Sequence, residues 1–106
     1  PNRFILVWIC KRGNQMNPTE IYEKAIETYG ENAQLDMAVE EMSELTKEIC
    51  KRKRGKDNHA AIVEEVADVL IMIEQLKIMC QIGSKELNDV KLDKIKRLEE
   101  RLKNGY

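Results

Sequence analysis

The sequence predicts an all-α fold in which four helices form an antiparallel bundle that is completed by oligomerisation. Three observations predict it: apolar residues recur at helical spacing in four segments, helix-starting and helix-ending residues stand between those segments, and no strand pattern follows residue 15. Short loops favour antiparallel neighbours. A chain of 106 residues has room for one domain with a modest core.

The first 15 residues differ in composition from the rest of the chain. Residues 4–10 form an apolar run that is too short for a signal peptide, and no small-residue cleavage site follows it. A strand formed here would have no partner later in the sequence. We therefore interpret residues 1–15 as an amino-terminal extension outside the native fold, with Met16 as the natural start, and residues 16–106 as the helical domain.

The first two helices are predicted from their boundary residues. Asn17 is an N-cap residue, Pro18 suits the first helical position, and Glu20 follows at the third. Gly30 is a natural stop for this first helix. The second helix is predicted over residues 32–54, where it ends in a run of basic residues.

The last two helices follow the same logic. A turn that ends in Asn58 supplies the next N-cap, and a third helix is predicted over residues 59–82 with Gly83 as its cap. Ser84 opens a fourth helix, which Gly105 ends. The apolar stripes of the second and third helices are longer than one small domain covers, so we expect at least a dimer.

Two segments 24 positions apart, residues 38–45 and 62–69, match each other in character at every position. Each carries a carboxylate pair at i, i+3, which places both members on one helical face beside the apolar stripe. The pairs are Glu41 with Glu44 and Glu65 with Asp68.

Packing through the stripes would bring the four acids to one seam. Four carboxylates held close together repel one another unless a cation neutralises them. Oxygen ligands alone suit Mg²⁺, or Mn²⁺, rather than Zn²⁺. The alternative is that these acids are solvated and make ordinary surface ion pairs.

The basic residues leave two interpretations open. Five of the six residues in 51–56 are basic, which fits either the negative end of a helix dipole or attraction of a polyphosphate. A basic face of the fourth helix is either solvated or a phosphate clamp. His59 has no neighbouring His or Cys and is expected to be neither a metal ligand nor a catalytic base. The candidate substrate-binding residues are Lys51, Lys94, Arg97 and Arg101.

Composition excludes several classes of partner. A net charge of −1 gives no basic surface for a nucleic acid polymer, and no apolar run approaches the roughly 20 residues of a membrane helix. The three cysteines are widely spaced and odd in number, which indicates free thiols in a reducing compartment. We therefore expect a cytoplasmic protein.

The pattern Glu41-x-x-Glu44, a gap of 20 residues, and Glu65-x-x-Asp68 resembles the MazG family of all-α nucleoside triphosphate pyrophosphohydrolases. Residues 34–45 resemble the family's first metal helix, residues 62–73 its second, and the basic fourth helix its phosphate-binding helix. The resemblance implies that the four acids bind Mg²⁺. It implies hydrolysis of a nucleotide between its α and β phosphates, which yields the monophosphate and pyrophosphate.

Further site residues follow from the same resemblance. A spare carboxylate would orient the attacking water, with Glu40, Glu48 and Glu64 as candidates. Family members commonly place aromatic residues around the base, whereas here only Tyr22 and Tyr29 are available outside the extension. The family's sites often form between subunits, which agrees with a homodimer or homotetramer.

The sequence thus predicts a Mg²⁺-dependent nucleotide pyrophosphohydrolase that acts on (deoxy)nucleoside triphosphates. Two alternatives stay open. One is a helical oligomerisation or partner-binding module without a metal. The other keeps the fold and acts on phosphoribosyl-ATP, although the lysine-rich lead into the first acidic helix of such enzymes is absent.

Overall fold

The computed structural model describes residues 16–105. They form four helices, α1 (Pro18–Tyr29), α2 (Glu31–Lys53), α3 (His59–Met79) and α4 (Ser84–Asn104), and contain no strand, so the all-α prediction is confirmed. The predicted extension of residues 1–15 lies outside the described residues. None of the four helices combines the length and the apolar character needed to cross a membrane.

The start of α1 is as the sequence predicts. The Asn17 Oδ1 accepts a hydrogen bond from the backbone N–H of Glu20 at 2.9 Å, and the Asn17 Nδ2 donates to Glu20 Oε1 at 3.1 Å. Gly30 ends the helix with φ +93°, and its N–H donates to the carbonyl of Ile26. Because Gly30 alone separates α1 from α2, this left-handed conformation sets the sharp change of direction between them.

The helices α2 and α3 form an antiparallel hairpin that is tied at both ends. At the open end, the Gln34 side chain donates to Gln75 Oε1 at 2.7 Å, and both residues are buried. At the loop end, Asn58 Nδ2 donates to the backbone carbonyl and to the Oε1 of Glu48, both at 2.9 Å. Asn58 stands at the predicted N-cap position of α3, but its side chain makes no capping bond to that helix. It joins the loop to α2 instead.

The predicted end of α3 is wrong by three residues. The helix ends at Met79, and the N–H of Ile82 donates to the Lys77 carbonyl at 2.9 Å, a bond that closes the helix. Gln81, and not the predicted cap Gly83, takes a left-handed conformation just past the helix end, with φ +55°. The glycine instead adopts extended backbone just before α4.

The core of the described chain is small. Its buried apolar residues are Ala38 and Met72, and it contains no large side chain that is fully buried. Three residues that were predicted in the packed stripes, Met42, Ile49 and Val66, are 40–47% exposed. A single chain therefore leaves much of the predicted stripes uncovered.

The fourth helix stands apart from the other three. The backbone of α4 packs against none of α1, α2 or α3. An open groove of about 540 Å³ separates it from Ile73 of α3, and Leu87, Val90, Ile95 and Leu98 line its other side together with two lysines. The predicted four-helix bundle is therefore not closed within the described part of one chain.

Candidate metal centre

Three carboxylates from two helices meet on one side of the α2–α3 hairpin. Glu41 comes from α2, and Glu65 and Asp68 lie one turn apart on α3. One oxygen from each lies within 4.8 Å of the other two, and all three side chains are half-buried. The antiparallel register, fixed by the two ties of the hairpin, places these residues opposite one another.

The fourth predicted ligand, Glu44, lies beside this group. It is half-buried, and its charge is near enough to raise the pKa of Glu65. Its oxygens are not part of the close trio. The structure therefore brings three of the four predicted ligands together and places the fourth next to them.

The electrostatics of the trio show mutual repulsion. Burial raises the pKa of Glu41 most, followed by the charge of Asp68, a hydrogen bond from the Glu41 carboxyl to Asp68, and the charges of Glu65 and Glu40. The negative charges around Glu41 thus oppose its ionisation. The carboxyl groups crowd together because the packing of α2 on α3 holds their backbones in place.

Glu65 is in a similar environment. Burial again raises its pKa most, and the charge of Asp68 is the next largest cause, followed by three glutamates of the hairpin. Its Oε2 is buried and has no hydrogen-bond donor among the described residues. A buried carboxylate oxygen without a donor is costly unless a cation occupies the space in front of it.

The donor set fits a hard divalent cation. Carboxylate oxygens from two helices are the ligands that Mg²⁺ and Mn²⁺ prefer, and a site with few protein ligands leaves positions for water and phosphate oxygens. Zn²⁺ sites usually combine Cys or His with any carboxylate ligands, and the trio contains neither Cys nor His. Glu41, Glu65 and Asp68, with Glu44 beside them, are therefore the residues that could hold the ion.

Glu48 is not free to orient a water molecule. It is buried, its Oε1 accepts the hydrogen bond from Asn58, and its Oε2 lies 3.1 Å from Lys51 Nζ. These two partners lower the pKa of Glu48, in contrast to its neighbours Glu41 and Glu65. Glu48 thus anchors the loop, and this leaves Glu40 and Glu64, both exposed, as the candidates for that role.

The sequence contained a signal for this anchor. Glu48 follows Glu41 and Glu44 at i+7 and i+4 on the same face of α2, so it belongs to the same row of acids. Its partner Asn58 could not be identified, because a short loop with an Asn before a helix is typical of an N-cap. The pairing depends on where the loop returns to α2.

The predicted substrate-binding cations are not gathered at the carboxylates in the described part of one chain. Lys51 pairs with Glu48, and Arg97 pairs with Asp93 of its own helix at 3.1 Å. Lys94 lines the α3–α4 groove, and Arg101 is exposed near the end of α4. Because α4 packs against neither α2 nor α3, contacts within one chain do not bring these three α4 cations to the acidic site.

The remaining candidates have no visible role at the trio. Of the two tyrosines of α1, Tyr22 is half-buried and Tyr29 is exposed. His59 is exposed at the first position of α3. Cys50 and Cys80 are free and exposed.

Comparison with known proteins gives no relative for this chain. No family model, no curated protein and no solved structure matches it. The functional argument therefore depends on the geometry of the three carboxylates.

Proposed function

We propose that this protein is a Mg²⁺-dependent nucleotide pyrophosphohydrolase that cleaves (deoxy)nucleoside triphosphates between the α and β phosphates. The observation that carries the proposal is the convergence of Glu41, Glu65 and Asp68 from two helices, with a buried Glu65 oxygen that has no donor within residues 16–105. The resemblance of the Glu-x-x-Glu and Glu-x-x-Asp pairs to the MazG family supports the same activity.

The protein's part in the reaction follows from the hairpin. The trio would hold the ion, and Mg²⁺ when bound supplies charge neutralisation at phosphate oxygens and a more acidic water. Glu40 and Glu64 are exposed next to Glu41 and Glu65, where either could accept the proton of the attacking water. The water oxygen bonds to the α phosphorus, the bond to the bridging oxygen breaks, and pyrophosphate leaves.

The proposal includes association of copies into a dimer or tetramer. The predicted phosphate-binding residues Lys94, Arg97 and Arg101 lie on α4, which makes no packing contact with the acidic helices of its own chain. A second copy supplies the same cations from outside. The exposed stripe residues of α2 and α3 favour such an association.

The second candidate is a helical oligomerisation or partner-binding module without catalysis. The exposed apolar residues along α2, α3 and α4 favour it. It does not explain why α2 and α3 direct three carboxylates at one another, since their repulsion destabilises the hairpin.

The test is release of pyrophosphate from a panel of nucleoside and deoxynucleoside triphosphates and phosphoribosyl-ATP, with Mg²⁺ and with a chelator. Asp68→Asn should lower turnover by about 100-fold or more, as expected when a group that acts on transition-state charge is lost. Asp36→Asn, at an exposed position of α2, is the matched control and should keep full activity. Full activity of Asp68→Asn, or no Mg²⁺-dependent pyrophosphate release from any nucleoside or deoxynucleoside triphosphate, would reject the proposal. Release from phosphoribosyl-ATP alone would favour the alternative substrate.

A readout without turnover complements this assay. Mg²⁺ should raise the melting temperature of the wild type and of Asp36→Asn, because the folded state binds it preferentially. It should leave that of Asp68→Asn unchanged.

A further inference from the structure

The groove between α3 and α4 has mostly apolar walls. Ile73 forms the wall on α3, and the wall on α4 is lined by four residues that we call the α4 apolar face: Leu87, Val90, Ile95 and Leu98. These four side chains are 37–52% exposed. A contiguous exposed apolar surface is typical of an interaction site.

Two lysines, Lys91 and Lys94, lie in the middle of the α4 apolar face, and we call them the groove lysines. Both line the groove. At about 100° per residue, they fall within the arc whose two edges are Val90 and Ile95. Cations of an amphipathic helix usually lie outside its apolar stripe, where water reaches them. The α4 wall of the groove thus has a cationic centre between apolar residues.

The chain does not neutralise the groove lysines. Among residues 16–105, neither Lys91 nor Lys94 has an ion pair. Helix α4 offers them no carboxylate, because none of the residues three or four positions away from either lysine is acidic. By contrast, Lys85 of the same helix pairs with Asp89 at 2.7 Å. The groove lysines are therefore available to negative charge from outside the chain.

We infer that the groove binds an amphipathic helix of another protein, whose apolar face carries carboxylates opposite the groove lysines. The α4 apolar face packs against the apolar residues of this partner, and the groove lysines pair with its acids. An amphipathic helix in an apolar groove is a recurrent mode of recognition. The inference goes beyond nucleotide hydrolysis and does not depend on it.

Charge complementarity carries this inference. A purely apolar occupant would cover the two ammonium groups without a counter-ion, which is costly. A basic occupant would add repulsion between like charges. Carboxylates at i and i+3 or i+4 of a partner helix match Lys91 and Lys94, which are themselves three residues apart.

The shape of the groove favours a helix over a small amphiphilic molecule. Sites for small molecules are concave and bury most of the ligand. This groove is open, because the backbone of α4 packs against none of the other helices. At 1.5 Å per residue, its α4 wall from Leu87 to Leu98 extends over roughly 16 Å, which is the length of about three turns of a partner helix.

The chain's own apolar segments do not supply the required charge. Residues 1–15 contain three basic residues and no acid, so they would bring further positive charge to the groove lysines. In a second copy, exposed apolar residues of α3 such as Val63 and Leu70 bring no carboxylate. Glu74 of α3 already pairs with Lys77 at 3.2 Å. The negative charge therefore comes from another protein.

The proposed nucleotide site keeps cations when a helix occupies the groove. Of the three predicted phosphate-binding residues of α4, Lys94 lines the groove, whereas Arg97 and Arg101 do not. Binding of the helix is measured without nucleotide or Mg²⁺. Failure of this inference and failure of the proposed hydrolysis are therefore distinguishable.

The test is fluorescence anisotropy of two labelled synthetic peptides with the full chain. Each peptide has about 20 residues, a length that supports a helix, and carries leucines at i, i+3, i+4 and i+7. Two positions at the centre of the leucine face are glutamate in one peptide and lysine in the other. The wild type should bind the glutamate peptide about tenfold or more tightly than the lysine peptide, because only the glutamates pair with the groove lysines.

Charge reversal tests the groove lysines directly. The double variant Lys91→Glu with Lys94→Glu should invert the preference and bind the lysine peptide more tightly. The matched control is Lys96→Glu with Lys103→Glu, which changes the net charge equally at α4 residues that do not line the groove. It should keep the preference of the wild type. Circular dichroism should show that both double variants stay helical.

The apolar contribution has its own variant. Leu98→Ala should weaken binding of the glutamate peptide about fivefold or more, whereas Leu92→Ala, at a position outside the groove, should leave it unchanged. The inference is overturned if the wild type does not bind the glutamate peptide, binds both peptides equally, or keeps its preference after charge reversal. Sedimentation equilibrium of the wild type would then show whether a second copy covers the groove, and a monomer would point to residues 1–15.

Discussion

The buried hydrogen bond between Gln34 and Gln75 provides a quantitative test of how α2 and α3 are held in register. The two residues are 7% and 5% exposed, and the donor nitrogen lies 2.7 Å from the acceptor oxygen. Gln75→Leu keeps a side chain of similar size but leaves the Gln34 amide buried without its acceptor. An unsatisfied buried polar group costs about 1–3 kcal/mol, so we expect a loss near 2 kcal/mol in the free energy of unfolding.

This loss corresponds to a fall of roughly 10 °C in melting temperature for a domain of this size. The assay is urea unfolding followed by far-UV circular dichroism at one fixed protein concentration, because association shifts apparent stability. The control is the double variant Gln34→Leu with Gln75→Leu, which removes both polar groups and should be much closer to the wild type. If the single variant loses no more stability than the double variant, the hydrogen bond does not couple the two helices and the argument fails.

Three further predictions concern the charges and the core. With a chelator present, the wild type should gain stability as pH falls toward 4.5, because the raised pKa values of Glu41 and Glu65 let the folded state bind protons at a higher pH than the unfolded state does. Urea midpoints measured across pH should show this slope, and Glu41→Gln should flatten it. Glu48 should have the opposite effect on the pH dependence of stability, because its lowered pKa stabilises the fold above about pH 4.5. Glu48→Gln should therefore be less stable than the wild type at neutral pH and approach it in acid. Met72→Ala should cost about 2–5 kcal/mol in chemical unfolding, because Met72 is buried, whereas Leu92→Ala at its exposed position should stay within about 0.5 kcal/mol.

The helix boundaries that depend on local chemistry were predictable. Asn17 caps α1, and the positive φ angles of Gly30 and Gly105 end α1 and α4, because these preferences are set by one residue and its immediate neighbours. The end of α3 was not predictable in this way. A non-glycine residue, Gln81, takes the left-handed conformation there, and the bond from Ile82 to Lys77 compensates for it.

The repeated register of the two acid pairs predicted that Glu41, Glu65 and Asp68 would lie close together, and their carboxylates do meet. The predicted packing through the apolar stripes is only partial, because Met42 and Val66 of those stripes are 40% exposed. The hydrogen bonds that tie α2 to α3 at the two ends of the hairpin could not be predicted from the sequence. Which polar residues meet, such as Gln34 with Gln75, depends on the relative height of the two helices, and periodicity along each helix does not fix that height. The separation of α4 has the same origin, because an apolar face predicts burial without identifying the surface that covers it.

The proposed metal site and the proposed phosphate-binding residues make separate demands on assembly. The carboxylates of Glu41, Glu65 and Asp68 meet within one chain, so Mg²⁺ should raise the melting temperature whether or not copies associate. Arg97 lies on α4, which packs against neither acidic helix of its own chain, so the proposed site takes this residue from a second copy.

Mixing Asp68→Asn chains with Arg97→Ala chains tests this sharing. Each variant alone should lose turnover, and the mixture should recover part of it, because one site of a mixed dimer then has an intact Asp68 and an intact Arg97. Circular dichroism should show that both variants stay helical. No recovery in the mixture, or full turnover by a monomeric wild type, would show that the cations of a second copy are not required.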